Sequence, residues 1–350
     1  MTIIAVPSSL RRGVGFVFPL AIAIGIASAI GSAAGAQSAA SQAHVAAAKA
    51  AAGADFAGVF NRICTEAAPR TPAEPRPARG ATPRPPGPPA RETWHAEPVK
   101  VFDNLYFVGQ TEYSVWAINT SAGIILIDAI FDYSVDDEVV GGLKKIGLDP
   151  ANIKYVIVSH GHADHSGGAK YLQDTFKAHV LLGAPDWDLL DRSNGSKPRR
   201  DMVATDGQKL TLGDTTVSIY TTPGHTLGTL STVFPVTDHG AKHVVASWGG
   251  TAFNWMANPA PYITTDRPEK FWFETYSNSA RRFKEITAKA GADVLISNHT
   301  IFDGSKTKMP ALEKRKPGEP NPYVIGKDAV QRYLTVVDEC AQAGLARSSN

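Results

Sequence analysis

Short runs of hydrophobic residues, separated by turn-forming residues, dominate the chain from about residue 99 onward. Runs of this length, rich in Val, Ile and aromatic residues, are typical of β-strands. They predict strands at "KVFDNLYFVG", "YSVWAINTS", "IILIDA", "IKYVIVS" and "AHVLLG" in the first half of this region. Further strands are predicted at "TTVSIYTT", "TLSTVFPV", "KHVVASW" and "ADVLISN".

Between these runs, apolar residues recur at helical spacing. The pattern predicts helices over about 134–147 and at "GGAKYLQDTF", "PDWDLLDR", "RPEKFWFETYSNSARRFKEITAKAG" and "GKDAVQRYLTVVDECAQAG". A strand-rich beginning followed by interspersed helices favours sheets packed face to face with helices outside.

The first 36 residues are apolar and contain no acid, with Arg11 and Arg12 near the start and small residues up to Ala36. This arrangement is typical of a signal peptide cleaved before Gln37, and it predicts a periplasmic or secreted protein with no permanent membrane anchor. An uncleaved membrane anchor is the alternative, although proline and glycine interrupt the apolar run. The export route stays open.

Residues 37–98 form a predicted extension ahead of a catalytic domain at 99–345. Its first part is alanine-rich and predicts a helix, whereas residues 66–98 are rich in proline, which removes backbone donors and fixes φ. The second part is therefore predicted to be an extended linker or a surface strap.

Charge excludes one class of partner. Removal of the predicted signal peptide leaves 33 basic and 33 acidic residues, and no basic stripe with interleaved aromatic residues is present. A nucleic-acid partner is therefore not expected.

Cys64 and Cys340 are the two cysteines of the chain. In an exported protein a disulfide between them is possible and would tie the extension to the last helix. The alternative is two unpaired buried thiols, because sequence spacing does not establish the geometry of a bridge.

The stretch "VIVSHGHADHSGG" carries the densest chemistry of the chain. Alternate residues of an extended loop project to the same side, so His160 and His162 can converge on one metal ion. Asp164 and His165 face the other way and can reach a second ion. Packing alone does not require four such side chains in six positions.

Two further histidines lie at the ends of predicted strands. His225 follows the strand 216–222 in "YTTPGHTLGT", and His299 follows the strand 292–297 in "VLISNHTIF". Together with the first cluster they complete a set of six candidate ligands from three loops.

The segment "HGHADH" matches the HxHxDH signature of the metallo-β-lactamase superfamily, and the chain resembles that family over roughly residues 99–345. The resemblance implies a four-layer αββα sandwich with two zinc ions per chain in a cleft at one edge of the sheets. It assigns the first zinc to His160, His162 and His225, and the second to Asp164, His165 and His299.

Asp128 in "IILIDA" matches the first acidic motif of the family. By that resemblance it supports the ligand loop rather than binding zinc itself. A plain aspartate at a strand end is the alternative interpretation.

The superfamily contains hydrolases of several kinds, so fold does not settle the substrate. The strand "KHVVASWGGTAF" lacks the bridging aspartate of most dinuclear members, and no cysteine lies near the ligands. In these respects the chain resembles the third subclass of zinc β-lactamases. Members of that subclass have serines after this strand that bind the substrate carboxylate. This chain has Ser247 and Thr251 in that region, and they are the predicted substrate contacts.

The resemblance implies an exported hydrolase that opens the β-lactam amide of a small-molecule substrate with a zinc-bound hydroxide. Asp164 is predicted to orient that nucleophile and is the catalytic residue of this hypothesis. Two alternatives remain: a hydrolase of another ester, lactone or thioester on the same site, and a catalytically idle, zinc-stabilised binding protein. The sequence leaves the oligomeric state open.

Overall fold

A computed structural model of the protein describes residues 38–67 and 87–348. The predicted signal peptide and most of the proline-rich segment lie outside the described residues. The strands form two sheets, of seven and five strands.

The first sheet contains seven strands in chain order: β1 (Val99–Lys100), β2 (Leu105–Phe107), β3 (Trp116–Thr120), β4 (Gly123–Ile127), β5 (Ile153–Ile157), β6 (His179–Gly183) and β7 (Met202–Ala204). Strands β1 to β4 pair antiparallel, and β4 to β7 pair parallel. The parallel half directs the carboxyl ends of its strands to one edge.

The second sheet contains β8 (Gln208–Leu212), β9 (Thr215–Thr221), β10 (Leu230–Asp238), β11 (Ala241–Trp248) and β12 (Val294–Ser297). The order across the sheet is β12-β11-β10-β9-β8. Neighbours pair antiparallel except β11 and β12, which are parallel.

Eleven α-helices lie within the described residues: α1 (Ala39–Ala52), α2 (Ala57–Ala67), α3 (Gly141–Lys145), α4 (Ala163–Ser166), α5 (Ala169–Phe176), α6 (Ala184–Arg192), α7 (Asn254–Ala257), α8 (Glu269–Ala290), α9 (Thr300–Asp303), α10 (Ser305–Glu313) and α11 (Lys327–Ser348). A π-helical turn at Asp136–Val140 leads into α3.

Two sheets pack face to face between two helical layers. Buried residues from both sheets, among them Phe107, Ile125, Val217 and Val245, fill the space between the sheets. Helices α3, α5 and α6 cover the outer face of the first sheet. Helices α8 and α11 cover the second. The predicted αββα sandwich is thereby confirmed.

The extension packs onto this sandwich through its two helices. Helix α1 lies along α11, and α2 contacts α11 beside it. Cys64 on α2 and Cys340 on α11 form a disulfide with a Cα–Cα distance of 4.8 Å. Helices α1 and α2 share a buried core with α8 and α11, so packing contacts cross the predicted domain boundary at residue 99. The boundary itself stays a prediction.

Several short elements differ from the sequence prediction. The single strand predicted at "KVFDNLYFVG" is two strands, β1 and β2, because the chain reverses around Asp103 and the amide of Val101 bonds to the carbonyl of Leu105 at 2.9 Å. Strands β7 and β8 and helices α4, α7, α9 and α10 were not predicted. Asp164 and His165, expected on an extended loop, lie on α4.

None of the described helices combines the length and apolar character that a membrane span requires.

Candidate metal centre

Three loops at one edge of the sandwich carry the six candidate ligands. The first runs from the end of β5 into α4, the second joins β9 to β10, and the third links β12 to α9. The first and third loops follow strand ends that are buried, so their side chains are held on rigid supports.

The first three histidines lie together. His160 Nε2 lies 3.1 Å from His225 Nε2. The ring centre of His162 lies 4.7 Å from that of His160 and 5.1 Å from that of His225. One candidate donor atom from each of the three falls within 4.8 Å of the others.

The second set adjoins the first. His165 Nε2 lies 3.2 Å from His299 Nε2 and 3.3 Å from Asp164 Oδ2. His299 Nε2 lies 3.7 Å from the same Asp164 oxygen. His160 also falls within 4.8 Å of Asp164 and His165, so the two sets form one continuous cluster.

Backbone carbonyls fix the orientation of two imidazoles. His160 Nδ1 lies 2.9 Å from the Gly249 carbonyl, and His225 Nδ1 lies 2.7 Å from the Ala252 carbonyl. Because Nδ1 donates its proton to the carbonyl in each ring, Nε2 carries a lone pair that faces the cluster. The fit is close: a Cβ on Gly250 would lie 2.4 Å from the Cβ of His225.

Asp128 supports the first loop from below. Its carboxylate accepts from the Ser159 amide at 2.6 Å and lies 3.0 Å from both Ser159 Oγ and His165 Nδ1. The side chain is fully buried, and the backbone has a φ of 69°, a left-handed conformation that aspartate tolerates. These contacts suit the supporting role expected from the sequence.

Asn254 and Tyr262 are residues of the centre that the sequence did not indicate. The Tyr262 hydroxyl lies 2.7 Å from His162 Nε2, which leaves Nδ1 of that ring facing the cluster. The Asn254 amide nitrogen lies 3.3 Å from His162 Nδ1 and 3.2 Å from His225 Nε2. Burial raises the pKa of Tyr262 to about 12, so its hydroxyl keeps its proton at neutral pH.

Asp186, at the start of α6, ties two ligand loops together. Its carboxylate accepts from the amides of Gly161 at 2.8 Å and Gly228 at 2.9 Å, and from the Thr226 hydroxyl at 2.7 Å. The loop of His160 and His162 and the loop of His225 therefore share one buried carboxylate. In the sequence, Asp186 is one of several acids of an amphipathic helix and gives no such signal.

Burial keeps four of the imidazoles neutral. It lowers the pKa of His162 to about 4 and that of His299 to about 3, and it lowers the pKa values of His160 and His225 well below the usual range. Neutral imidazole is the form that binds metals.

His165 and Asp164 form the charged part of the centre. Burial alone would lower the pKa of His165, but the carboxylates of Asp164 and Asp128 raise it to about 10. Burial opposes ionisation of Asp164, yet the imidazolium of His165 holds the pKa of that carboxyl well below its usual range. Without metal, the centre therefore carries an imidazolium paired with two carboxylates.

The donors fit divalent metal. Zinc prefers imidazole nitrogens together with a carboxylate oxygen as donors, and the cluster offers both. A carbonyl or a carboxylate holds the other ring nitrogen of several of these imidazoles and so fixes their orientation. The arrangement is consistent with a binuclear site built from the six predicted residues.

Ser247 and Thr251, the predicted substrate contacts, are both buried. The Thr251 hydroxyl lies 2.9 Å from the Tyr333 hydroxyl of α11. Neither residue is among those that line the cavities beside the cluster. The structure thus gives no support to a substrate contact at these two positions.

Two cavities open onto the cluster and share His162 and Asn254. One, of about 380 Å³, is also lined by Asp164, His225 and His299. The other, of about 520 Å³, extends along α6 past Asp186 and Tyr262. Their size suits a small molecule rather than a polymer.

Residues 108–239 match the family profile described as the metallo-β-lactamase superfamily. Among curated relatives, a hydroxyacylglutathione hydrolase of Crocosphaera subtropica is 28% identical over 107 residues, which cover 31% of this chain and 38% of the relative. An N-acyl homoserine lactonase of a Bacillus species is 25% identical over 158 residues, covering 44% of this chain and 59% of the relative. These matches span less than two thirds of the relatives.

Solved structures match over a longer range. The subclass B3 metallo-β-lactamase of Bradyrhizobium japonicum is 26% identical, with a TM-score of 0.57, and the match covers 68% of this chain and 89% of that one. The metallo-β-lactamase from Legionella gormanii is 25% identical, with a TM-score of 0.58, and the match covers 68% of this chain and 91% of that one.

Three features indicate the same family: the signature loop, the six converging side chains and the αββα architecture. Residues 108–239 carry the domain of the metallo-β-lactamase superfamily, and the structural neighbours of the chain include a subclass B3 metallo-β-lactamase. The histidine-rich cluster of the chain could hold metal ions.

Proposed function

We propose that this chain is an exported zinc β-lactamase that opens the amide bond of a β-lactam ring. The observation that carries the proposal is the donor set of the second site, in which Asp164 and His165 adjoin His299 without a cysteine. Similarity to a subclass B3 metallo-β-lactamase and to a second metallo-β-lactamase, over 89% and 91% of their chains, supports it.

His160, His162 and His225 would hold one zinc ion, and Asp164, His165 and His299 the other. Bound zinc would supply a Lewis acid for the carbonyl and a water with a pKa of about 7. The Asp164 carboxylate stays ionised and accepts a hydrogen bond from the attacking water, which orients it. The Asn254 amide, beside His162 and His225, donates toward the carbonyl oxygen of the substrate.

Burial also lowers the polarity around part of the centre. His160, His165 and His225 are almost fully buried, and Tyr262 closes one side of His162. A centre of low polarity strengthens each charged contact with the substrate. Hydrolysis therefore needs no serine or cysteine nucleophile from this chain.

A second candidate function is hydrolysis of a thioester or lactone at the same centre. It is favoured by the sequence matches to a hydroxyacylglutathione hydrolase and an N-acyl homoserine lactonase. The structural matches favour the β-lactam, because they extend over a larger share of the related chains.

A substrate panel separates the two functions. Zinc-loaded protein is assayed with nitrocefin, S-lactoylglutathione and an N-acyl homoserine lactone, with and without a chelator. The proposal expects chelator-sensitive turnover of nitrocefin above that of the other two, and loss of turnover in the His162→Ala variant. Turnover confined to the thioester or lactone would overturn it.

Export is the second part of the proposal, and residues 1–36 support it by their composition. N-terminal sequencing of the protein from the periplasm or medium of the expressing cell tests it. A mature chain that begins at Gln37 is expected, and full-length protein that stays in the cytoplasm would contradict export.

A further inference from the structure

A third cavity, of about 350 Å³, lies where the N-terminal extension meets the C-terminal helices. Three segments supply its walls: the turn between α1 and α2, the junction of α9 with α10, and the start of α11. Lys308 of α10 lines it, and we call it the Lys308 cavity. It shares no lining residue with the two cavities beside the histidine cluster, so it is separate from the metal centre.

The ε-ammonium group of Lys308 lacks an acceptor. Its Nζ atom is buried and has no hydrogen-bond partner among the described residues. It lies over the ring of Tyr323, 5.1 Å from the ring centroid. Burial lowers the pKa of Lys308, and the negative charges of Asp303 and Asp55, which also line the cavity, oppose this shift. A buried ammonium without an acceptor costs free energy, which a bound acceptor would offset.

The two carboxylates of the wall are already engaged elsewhere. Asp303 is buried and accepts hydrogen bonds from two backbone amides, at 2.8 and 2.9 Å, one on each oxygen. Asp55 forms an ion pair with Arg332 of α11. Neither carboxylate accepts a hydrogen bond from Lys308. Of these three charged side chains in the wall, Lys308 is therefore the one left for a ligand.

Part of the wall is apolar. Phe56, Ile325 and Ala329 line the cavity, and Phe56 and Ala329 are buried. The ring of Phe56 packs edge-on against Tyr333 at 5.5 Å between centroids, which holds it in place. The cavity thus offers one hydrogen-bond donor with a charge, beside a firm apolar surface. This combination suits a small ligand with one acceptor group and a short apolar body.

We propose that the Lys308 cavity is a second binding site, which takes a small monocarboxylate. The carboxylate would accept charge-assisted hydrogen bonds from the ammonium, and the apolar body would lie against the apolar wall. A single negative charge matches the one cation without an acceptor, whereas Asp303 and Asp55 would repel a dianion. The site goes beyond the proposed hydrolysis, because no residue of the metal centre takes part in it.

Benzoate and benzamide test the site, because they share a ring and differ in charge. Calorimetric titration of the full-length, oxidised, zinc-loaded protein compares wild type with Lys308→Met, which removes the charge and keeps an unbranched side chain. Wild type should bind benzoate about 10- to 100-fold more tightly than benzamide, and Lys308→Met should lose most of that preference. The control Lys314→Met removes an exposed lysine at the end of the same helix and should keep the preference.

The position of the ligand is measured directly, since zinc also binds carboxylates. Crystals of wild type and Lys308→Met are grown with para-bromobenzoate, and the anomalous signal of bromine locates the ring. Bromine is expected in the Lys308 cavity of wild type and should be absent there in the variant. Bromine confined to the metal centre, or equal affinity for benzoate in wild type and Lys308→Met, would overturn the proposal.

Stability provides a separate check on Lys308→Met. Without ligand, the variant should unfold at the same denaturant concentration as wild type or a higher one, because it removes a buried charge that has no acceptor. Marked destabilisation would show that the ammonium serves the fold instead of a ligand, and the proposal would fail.

Ala329→Met keeps the charge and fills the apolar part of the cavity. It should weaken the binding of benzoate about tenfold or more, whereas unchanged affinity would place the ligand elsewhere. None of these measurements requires turnover. The monocarboxylate site and the β-lactamase proposal therefore stand or fall independently.

Discussion

Asp128 Oδ2 and His165 Nδ1 lie 3.0 Å apart, and neither side chain is exposed to solvent. The same carboxylate accepts from the Ser159 amide, so the end of β5 and the metal-facing ring are fixed by one group. Because the Asp128 carboxylate accepts a hydrogen bond from Nδ1–H of His165, Nε2 of the same ring is the atom available to a metal ion. The pair couples the backbone of the signature loop to the second site.

Asp128→Asn should therefore weaken the second site. The amide of asparagine can donate to His165 Nδ1, which places the remaining proton on Nε2 and blocks its lone pair. We expect zinc affinity at the second site to fall about 10- to 100-fold, with less change at the first. Zinc titration against a chromophoric chelator measures both sites.

The matched control is Asp201→Asn. Asp201 also pairs with a histidine, His179, at 3.1 Å, but this pair lies at the surface by β6. Its replacement should leave zinc binding unchanged. Equal zinc affinity in Asp128→Asn and wild type would show that the carboxylate has no role in the orientation of His165.

Removal of the Cys64–Cys340 disulfide should destabilise the protein and release α2. The bridge closes a sequence separation of 276 residues, and loss of a native disulfide typically costs about 2–5 kcal/mol. The double variant Cys64→Ser/Cys340→Ser should unfold at lower denaturant concentration than oxidised wild type.

Wild type treated with a reductant serves as the comparison for the serine variant, since it keeps both sulfur atoms. A double variant as stable as the oxidised protein would show that packing of α2 on α11 suffices without the bridge.

Local signals made the sandwich and the ligand loops predictable from sequence. "IKYVIVS" and "ADVLISN" are short apolar runs, and His160 and His299 follow them directly, so the strand ends and the metal ligands are encoded together. Long amphipathic helices such as α8 and α11 have a clear period, and their bounds agree closely with the prediction.

Residues set by distant packing could not be predicted in this way. Asn254 and Tyr262 lie in a segment without periodicity after β11, and their approach to His162 depends on how that segment folds over the cleft. Thr251 bonds to Tyr333, far along the chain on α11, and lines neither cavity beside the cluster.

Zinc binding at the second site should strengthen as pH rises. The pKa of His165 is raised to about 10 in the metal-free fold, above its ordinary value near 6.5. The charged pair stabilises the metal-free protein below about pH 6.5, and that stabilisation is lost as pH rises through 10. A metal ion must displace the same proton, so affinity should rise about tenfold per pH unit between pH 7 and 9.

Competition titrations at pH 7, 8 and 9 measure this slope, with the values corrected for the proton uptake of the chelator. The first site should change less, since the pKa of His162 is lowered to about 4 and its ring is already neutral. A second-site affinity independent of pH would show that His165 is neutral before the metal binds.

Asp164→Asn should lower turnover and weaken zinc binding at the second site, with little effect on zinc at the first. Asp164 is the only carboxylate among the six candidate ligands, and its Oδ2 lies 3.3 Å from His165 Nε2. Asparagine keeps the size of the side chain but loses the charge and the acceptor that orients the attacking water, so kcat should fall about 100-fold or more. The second zinc should also loosen, whereas the first keeps its three imidazoles.

Elemental analysis of zinc and steady-state kinetics on the same preparation measure both effects of Asp164→Asn. Asp174→Asn provides the control, because Asp174 is an exposed acid of α5 paired with Lys170, away from the cluster. It should retain wild-type zinc content and kcat. An Asp164→Asn protein with two zinc ions and nearly full turnover would reduce Asp164 to a structural residue, and the assignment of a second site built on "HGHADH" would fall with it.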